Sequence, residues 1–239
     1  MGGRLARAEL GQPPAESWPH PQFGPGPERR TRVKICGCQS AADVAQAVEA
    51  GADAVGLIFA PSPRQVSAEQ AAVAAAAAPT RVTVVGVFVD PSAADLEQAV
   101  SLLPRMVPQF SGSESPRLCR HLGVPYLKVL QVPNQGLPAG DRLRADLERF
   151  PEALVVFETA SAQRGGSGRA FEWSRVSAIT ALRPSVISGG LHPANVGDCV
   201  RLLRPYAVDV RSGVESGARK DPAKLRAFIQ AVRSADAAT

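Results

Sequence analysis

Arg32-Val33-Lys34-Ile35-Cys36-Gly37-Cys38 is a short strand followed by a tight turn, and it decides the fold by what it lacks. Val33 and Ile35 point to one face of the strand, and Lys34 and Cys36 to the other. A sheet that binds dinucleotides in a doubly wound fold opens its first helix with a Gly-x-Gly-x-x-Gly turn. Cys36-Gly37-Cys38 does not supply that turn. Downstream, β-rich runs recur at Ala54–Phe59, Val82–Val89, Arg105–Phe110, Tyr126–Leu130, Ala153–Glu158, Ser185–Ser188 and Ala207–Val210. Helical texture follows each at 40–50, 67–78, 92–103, 114–122, 139–149, 171–182, 193–203 and 221–235. Start signals support several helices: Ser67 before Glu69-Gln70, Ser92 before Asp95, Pro193 after His192 and Asp221-Pro222. Eight strands, each followed by a helix, in roughly 205 residues is the count of a compact (β/α)8 barrel.

The 239 residues are 45% hydrophobic and 21% charged, enough apolar content for one sizeable core. No apolar run is long enough to span a bilayer, so no membrane partner is expected. The net charge is +5, with Arg dominating the basic residues. Those Arg are scattered among 22 acids, which argues against a nucleic-acid surface and for small anionic ligands. Cys36, Cys38, Cys119 and Cys199 have neither disulfide nor zinc spacing, and His20, His121 and His192 add no ligand pattern. Reduced thiols in a cytoplasmic protein without a metal are expected. Residues 1–30 hold six Pro and five Gly and no periodicity; they read as a flexible, disordered tail ahead of a single domain over 31–239. A start codon placed too far upstream explains such a tail equally well. Arg29-Arg30 is not followed by the apolar segment of an export signal.

Barrels of this kind carry their chemistry at the C-terminal ends of the strands. The post-strand residues are Cys36, Arg64, Asp90, Ser111, Gln131, Glu158, Gly189-Gly190 and Asp209 to Gly213. Three turns lack bulk: Gly165-Gly166-Ser167-Gly168, Ser188-Gly189-Gly190 and Ser212-Gly213. Glycine lets backbone N–H groups close on an oxyanion and serine adds a donor, so together they suit a phosphate. Singly, each reads as an ordinary βα turn; three on one rim favour phosphate. Cys36 reads either as an inert small hydrophobe or as a thiol whose ionised form Lys34, on the same strand face, favours. Glu158 ends the apolar run Leu154-Val155-Val156-Phe157. It reads as a salt-bridged structural group or as a desolvated general acid. Arg64, in the stiff loop Pro61-Ser62-Pro63-Arg64, reads as a surface charge or as a carboxylate clamp.

Taken together the motifs resemble the phosphoribosylanthranilate isomerase family of tryptophan biosynthesis. The resemblance rests on Val33-Lys34-Ile35-Cys36-Gly37, Gly51-Ala52-Asp53-Ala54-Val55-Gly56, Ser62-Pro63-Arg64, Val85-Gly86-Val87-Phe88-Val89, Gly165–Gly168, Ser188–Leu191, Asn195-Val196 and Val208-Asp209 through Lys220-Asp221. It covers residues 32–235. It implies an aldose–ketose isomerase, formally an intramolecular oxidoreductase, that rearranges N-(5-phosphoribosyl)anthranilate to 1-(2-carboxyphenylamino)-1-deoxyribulose 5-phosphate without a cofactor. The partner it implies is a small phosphosugar, and the assembly a monomer or homodimer. By resemblance Cys36 is the general base, Glu158 the general acid, and Lys34, Arg64, Ser111 and Asp209 contact substrate. Gly166, Ser167, Gly168, Gly189, Gly190, Ser212 and Gly213 hold its phosphate. Four positions depart from the family pattern: Glu158 replaces Asp, Ser111 replaces His, Glu172 stands at a helix start where Asp is usual, and Arg211 stands beside the presumed phosphate site where a small residue is common. A related aminosugar-phosphate isomerase and a non-catalytic phosphosugar binder are the alternatives, and retention of Lys34, Cys36 and Arg64 speaks for catalysis.

Overall fold

The computed structural model describes Phe23 and residues 30–133, 140–160 and 170–238. Eight parallel strands close into a barrel in sequence order: β1 (Arg32–Cys36), β2 (Ala54–Ile58), β3 (Thr83–Phe88), β4 (Val107–Phe110), β5 (Leu127–Val132), β6 (Leu154–Thr159), β7 (Ser185–Ile187) and β8 (Ala207–Val210). β1 pairs with β8, placing Lys34 beside Asp209, and with β2, placing Cys36 beside Gly56. Helices α1 (Ala41–Ala50), α2 (Ala68–Ala75), α3 (Ala93–Leu102), α4 (Pro116–Cys119), α5 (Gly140–Arg149), α6 (Ser177–Thr180), α7 (Val196–Leu203) and α8 (Pro222–Ala237) alternate with the strands.

Strand alternation builds two cores. Outward residues such as Val33, Ile35, Val55 and Leu57 pack under the helices, while inward residues such as Ala54, Ile58, Val85, Val129 and Val156 fill the barrel. Ser67 and Ser92 form capping boxes with Gln70 and Asp95, whereas Pro193 opens no helix: α7 begins at Val196 behind Asn195, whose side chain makes no capping bond. The Asp221 carboxylate accepts from the N–H groups of Ala223 and Lys224.

Two expected helices are shorter than the sequence suggests. The one at 114–122 is a single turn, begun by Ser115 and Pro116 and followed by Gly123 at φ 64°. The one at 171–182 is split into a 3-10 turn (Trp173–Val176) and α6. Neither Glu172 nor Val176 offers a capping side-chain hydrogen bond, so nothing there anchors a longer α-helix. A feature with no sequence forecast follows β8: β9 (Glu215–Ser216) and β10 (Arg219–Lys220) form a small antiparallel hairpin.

Phe23, inside the segment read as a tail, is fully buried with the barrel-interior residues. Its N–H donates to the Tyr206 hydroxyl at 3.1 Å, and its carbonyl accepts from Arg32 Nε at 3.0 Å. Tyr206 precedes β8, so Phe23 sits at the end of the barrel opposite the strand C-termini.

Candidate active site

A cavity of about 810 Å³, counting its open mouth, lies at the C-terminal ends of the strands. Cys36 from β1, Gln109 and Ser111 from β4 and its loop, Glu158 from β6 and Asp209 from β8 all reach it. So do Gly189, Gly190, Arg211 and Ser212 from the last two loops. Cys36 fits this tight wall because its neighbour on β2 is Gly56: a Cβ there would lie 2.9 Å from the Cys36 sulfur.

Burial sets the electrostatics. Lys34 is completely buried, and its ammonium donates to Asp209 Oδ2 at 2.8 Å. Burial works against the charged lysine, but the carboxylate of Asp209, helped by Cys36, outweighs it and holds the Lys34 pKa above its ordinary value. The Cys36 thiol is pushed up by burial and further by Asp209, although Lys34, Arg211 and Lys220 all pull it down. Lys34 therefore acts on the thiol in the direction its position suggested, but it is committed to Asp209 and burial prevails. Glu158 is raised as well, by burial first and by the Asp209 charge second. Gln131, its register neighbour on β5, donates to Glu158 Oε2 at 3.1 Å and, with Arg211 and Lys34, opposes that rise. A carboxyl raised in this way keeps its proton to higher pH than an exposed one, as a general acid must.

Asp209 Oδ1 and Gln109 Oε1 are buried and have no hydrogen-bond partner among the described residues. Buried acceptors of this kind are normally satisfied, and a substrate with N–H or O–H groups would satisfy these two. After β7, the strand beside β8, Gly189 and Gly190 adopt φ of 87° and 66°. Gly189 backs onto Thr159, where any Cβ would collide with the Thr159 backbone and hydroxyl. That close approach leaves the turn free of side chains and suited to an anion.

Of the residues singled out from sequence, Cys36, Ser111, Glu158, Gly189, Gly190, Asp209 and Ser212 line this one cavity. Lys34 stands behind the wall and reaches it through Asp209. Gly213 packs against the Leu191 carbonyl and His192 beneath the rim. Gly166, Ser167 and Gly168 lie outside the described residues. Arg64 does not line the cavity; its guanidinium is ion-paired to Glu215 at 2.5 Å. Glu215 also holds Lys220 at 2.8 Å, and Lys220 donates to the Cys36 carbonyl. Sequence reading did not single out Glu215, because Arg64 and Glu215 are 151 positions apart and meet only when the barrel closes. Gln109 was not singled out from the sequence, and Gln131 was named only as a post-strand residue.

Residues 33–231 match the family model for N-(5'-phosphoribosyl)anthranilate (PRA) isomerase. The N-(5'-phosphoribosyl)anthranilate isomerase of Leptothrix cholodnii is 44% identical over 210 residues, covering 87% of this chain and 93% of its own. The crystal structure of phosphoribosyl anthranilate isomerase from Thermotoga maritima superposes with a TM-score of 0.77 at 34% identity, covering 85% of this chain and 99% of its own. A phosphoribosyl anthranilate isomerase in complex with reduced 1-(o-carboxyphenylamino)-1-deoxyribulose 5-phosphate superposes with a TM-score of 0.73 at 34% identity, over the same shares of the two chains.

Proposed function

The chain belongs to the N-(5'-phosphoribosyl)anthranilate isomerase family and is an isomerase of tryptophan biosynthesis, and we propose that it works with Cys36 as base and Glu158 as acid. The observation that carries this assignment is that both groups line one cavity from strands on different sides of the mouth, with Asp209 between them.

The chemistry runs in three steps. Glu158 donates its proton to the furanose ring oxygen, the bond from that oxygen to C1′ breaks, and the anilinic nitrogen lone pair forms a C1′–N double bond. The Cys36 thiolate then takes the C2′ proton, and the released pair forms the C1′–C2′ double bond of an enolamine as the nitrogen regains its lone pair. Return of a proton to C1′ with loss of the C2′ hydroxyl proton gives the ketone. The free oxygen of Asp209 is placed to accept from the anilinic N–H or a sugar hydroxyl, and Ser111 offers a further hydrogen bond. The side-chain-free turn at Gly189-Gly190 and the Ser212 loop suit the phosphate. Four free cysteines agree with a reducing, cytoplasmic compartment.

Complementation of a tryptophan auxotroph that lacks this isomerase tests the assignment. The wild-type gene is expected to restore growth, and the Cys36→Ser and Glu158→Gln variants are expected to fail at equal soluble expression. Growth supported equally by either variant would remove that residue from its role.

A further inference from the structure

The positive charges of the site are not equally available. Lys34 is neutralised by Asp209 at 2.8 Å, and Arg64 and Lys220 share Glu215 at 2.5 and 2.8 Å. Arg211 differs on two counts. It lines the cavity, which Arg64 does not, and it makes no ion pair or hydrogen bond to any described residue. A guanidinium on a cavity wall that no described carboxylate holds in an ion pair is the group most able to take a substrate anion, although its charge also acts on Glu158.

Resting on the isomerase reading above, we propose that Arg211 is the specificity-determining contact for the aromatic carboxylate of the substrate in this chain, with Arg64 standing behind it. The substrate carries two anions, and the path of the side chain chooses between them. Arg211 Cγ and Cδ lie 3.3 Å from where a Cβ on Gly37 would be, and Arg64 Cγ lies 3.6 Å from the same point. The two arginine stems therefore meet over the turn after β1, on the β1–β2 side of the mouth. The side-chain-free turn that suits the phosphate follows β7, and the Ser212 loop that completes it adjoins Arg211, but the Arg211 stem runs over Gly37 after β1, away from β7. Arg64, held by Glu215 and outside the cavity lining, stands behind this meeting point and adds its charge from there. A guanidinium on that carboxylate would make recognition depend on the acid group of the aglycone.

The test compares two ligands. One is the reduced product analogue bearing the 2-carboxyphenylamino group, and the other is its phenylamino counterpart without the carboxylate. Arg211→Gln is expected to weaken the carboxylated compound by about ten- to a hundredfold and the carboxylate-free one by less than about twofold. Arg211→Lys keeps the charge and most of the bulk over Gly37, and is expected to recover part of the affinity. In turnover, the Arg211→Gln effect is expected mainly in KM. Equal losses for both ligands would assign Arg211 to the phosphate or to general packing, and no loss for either would remove it from binding; each overturns the inference alone. A wild-type protein that neither turns over the phosphoribosyl substrate nor binds either analogue would overturn the isomerase reading, and this inference with it.

Discussion

In the proposed mechanism Cys36 and Glu158 have to hold opposite protonation states at once, the thiol ionised and the carboxyl protonated. Burial raises both, and Asp209 adds to each. An ordinary thiol titrates well above an ordinary carboxyl, about 8.5 against about 4.3. The reactive form is then a minor arrangement of the singly protonated pair. The expected kcat/KM profile is bell-shaped. Activity falls on the acid side as the thiolate is lost, through a limb above the ordinary carboxylate value, because that is where the pair takes up its second proton. It falls on the alkaline side as the last proton leaves, through a limb above the ordinary thiol value. Measurement of kcat/KM against pH checks this, and an acid limb at or below about 4.3 would contradict a desolvated Glu158.

The loop between β4 and α4 is held by a buried pair instead of by apolar packing. Lys128 Nζ donates to Glu114 at 2.8 Å and to the Gly112 carbonyl at 2.9 Å, and Glu114 accepts from the N–H groups of Asp90 and Gly112. Lys128→Met leaves a fully buried carboxylate without its cation, which costs about 3–5 kcal/mol. Thermal unfolding should show this as a fall of about 10 °C for a chain of this size. A change of about 2 °C or less would mean that the pair contributes nothing. This pair also marks what the sequence could and could not convey. Strands such as Leu154–Thr159 were legible because runs of β-branched and aromatic residues announce them. The site residues at strand ends were legible because barrel topology dictates where they sit. Partners such as Glu114 for Lys128 or Glu215 for Arg64 were not, since no local pattern specifies a contact between separate loops. The short α4 and α6 were over-extended because propensity registers neither the left-handed turn at Gly123 that follows α4 nor the missing capping side chain before α6.

At the scale of the molecule, the barrel is finished at both ends by residues from outside its strands. The hairpin of β9 and β10 brings Glu215 and Lys220 beneath the Cys36 carbonyl at the catalytic end. Phe23 fills the opposite end, where composition alone had suggested only a tail. Phe23→Ala should destabilise the barrel by about 3 kcal/mol, read as a lower urea midpoint with an unchanged slope. An unchanged midpoint would show that the aromatic ring is not part of the core. Function depends on the closed ring of strands, because closure is what sets the β1 thiol and the β6 carboxyl around one cavity. The most direct test is steady-state turnover of N-(5-phosphoribosyl)anthranilate by the purified protein beside Cys36→Ser and Glu158→Gln. The expected result is turnover by the wild type and a loss of about 10²–10⁴-fold in kcat for each variant, with binding of the reduced product analogue retained. Absence of wild-type turnover, or variants within a few-fold of it, would contradict acid–base catalysis by this pair.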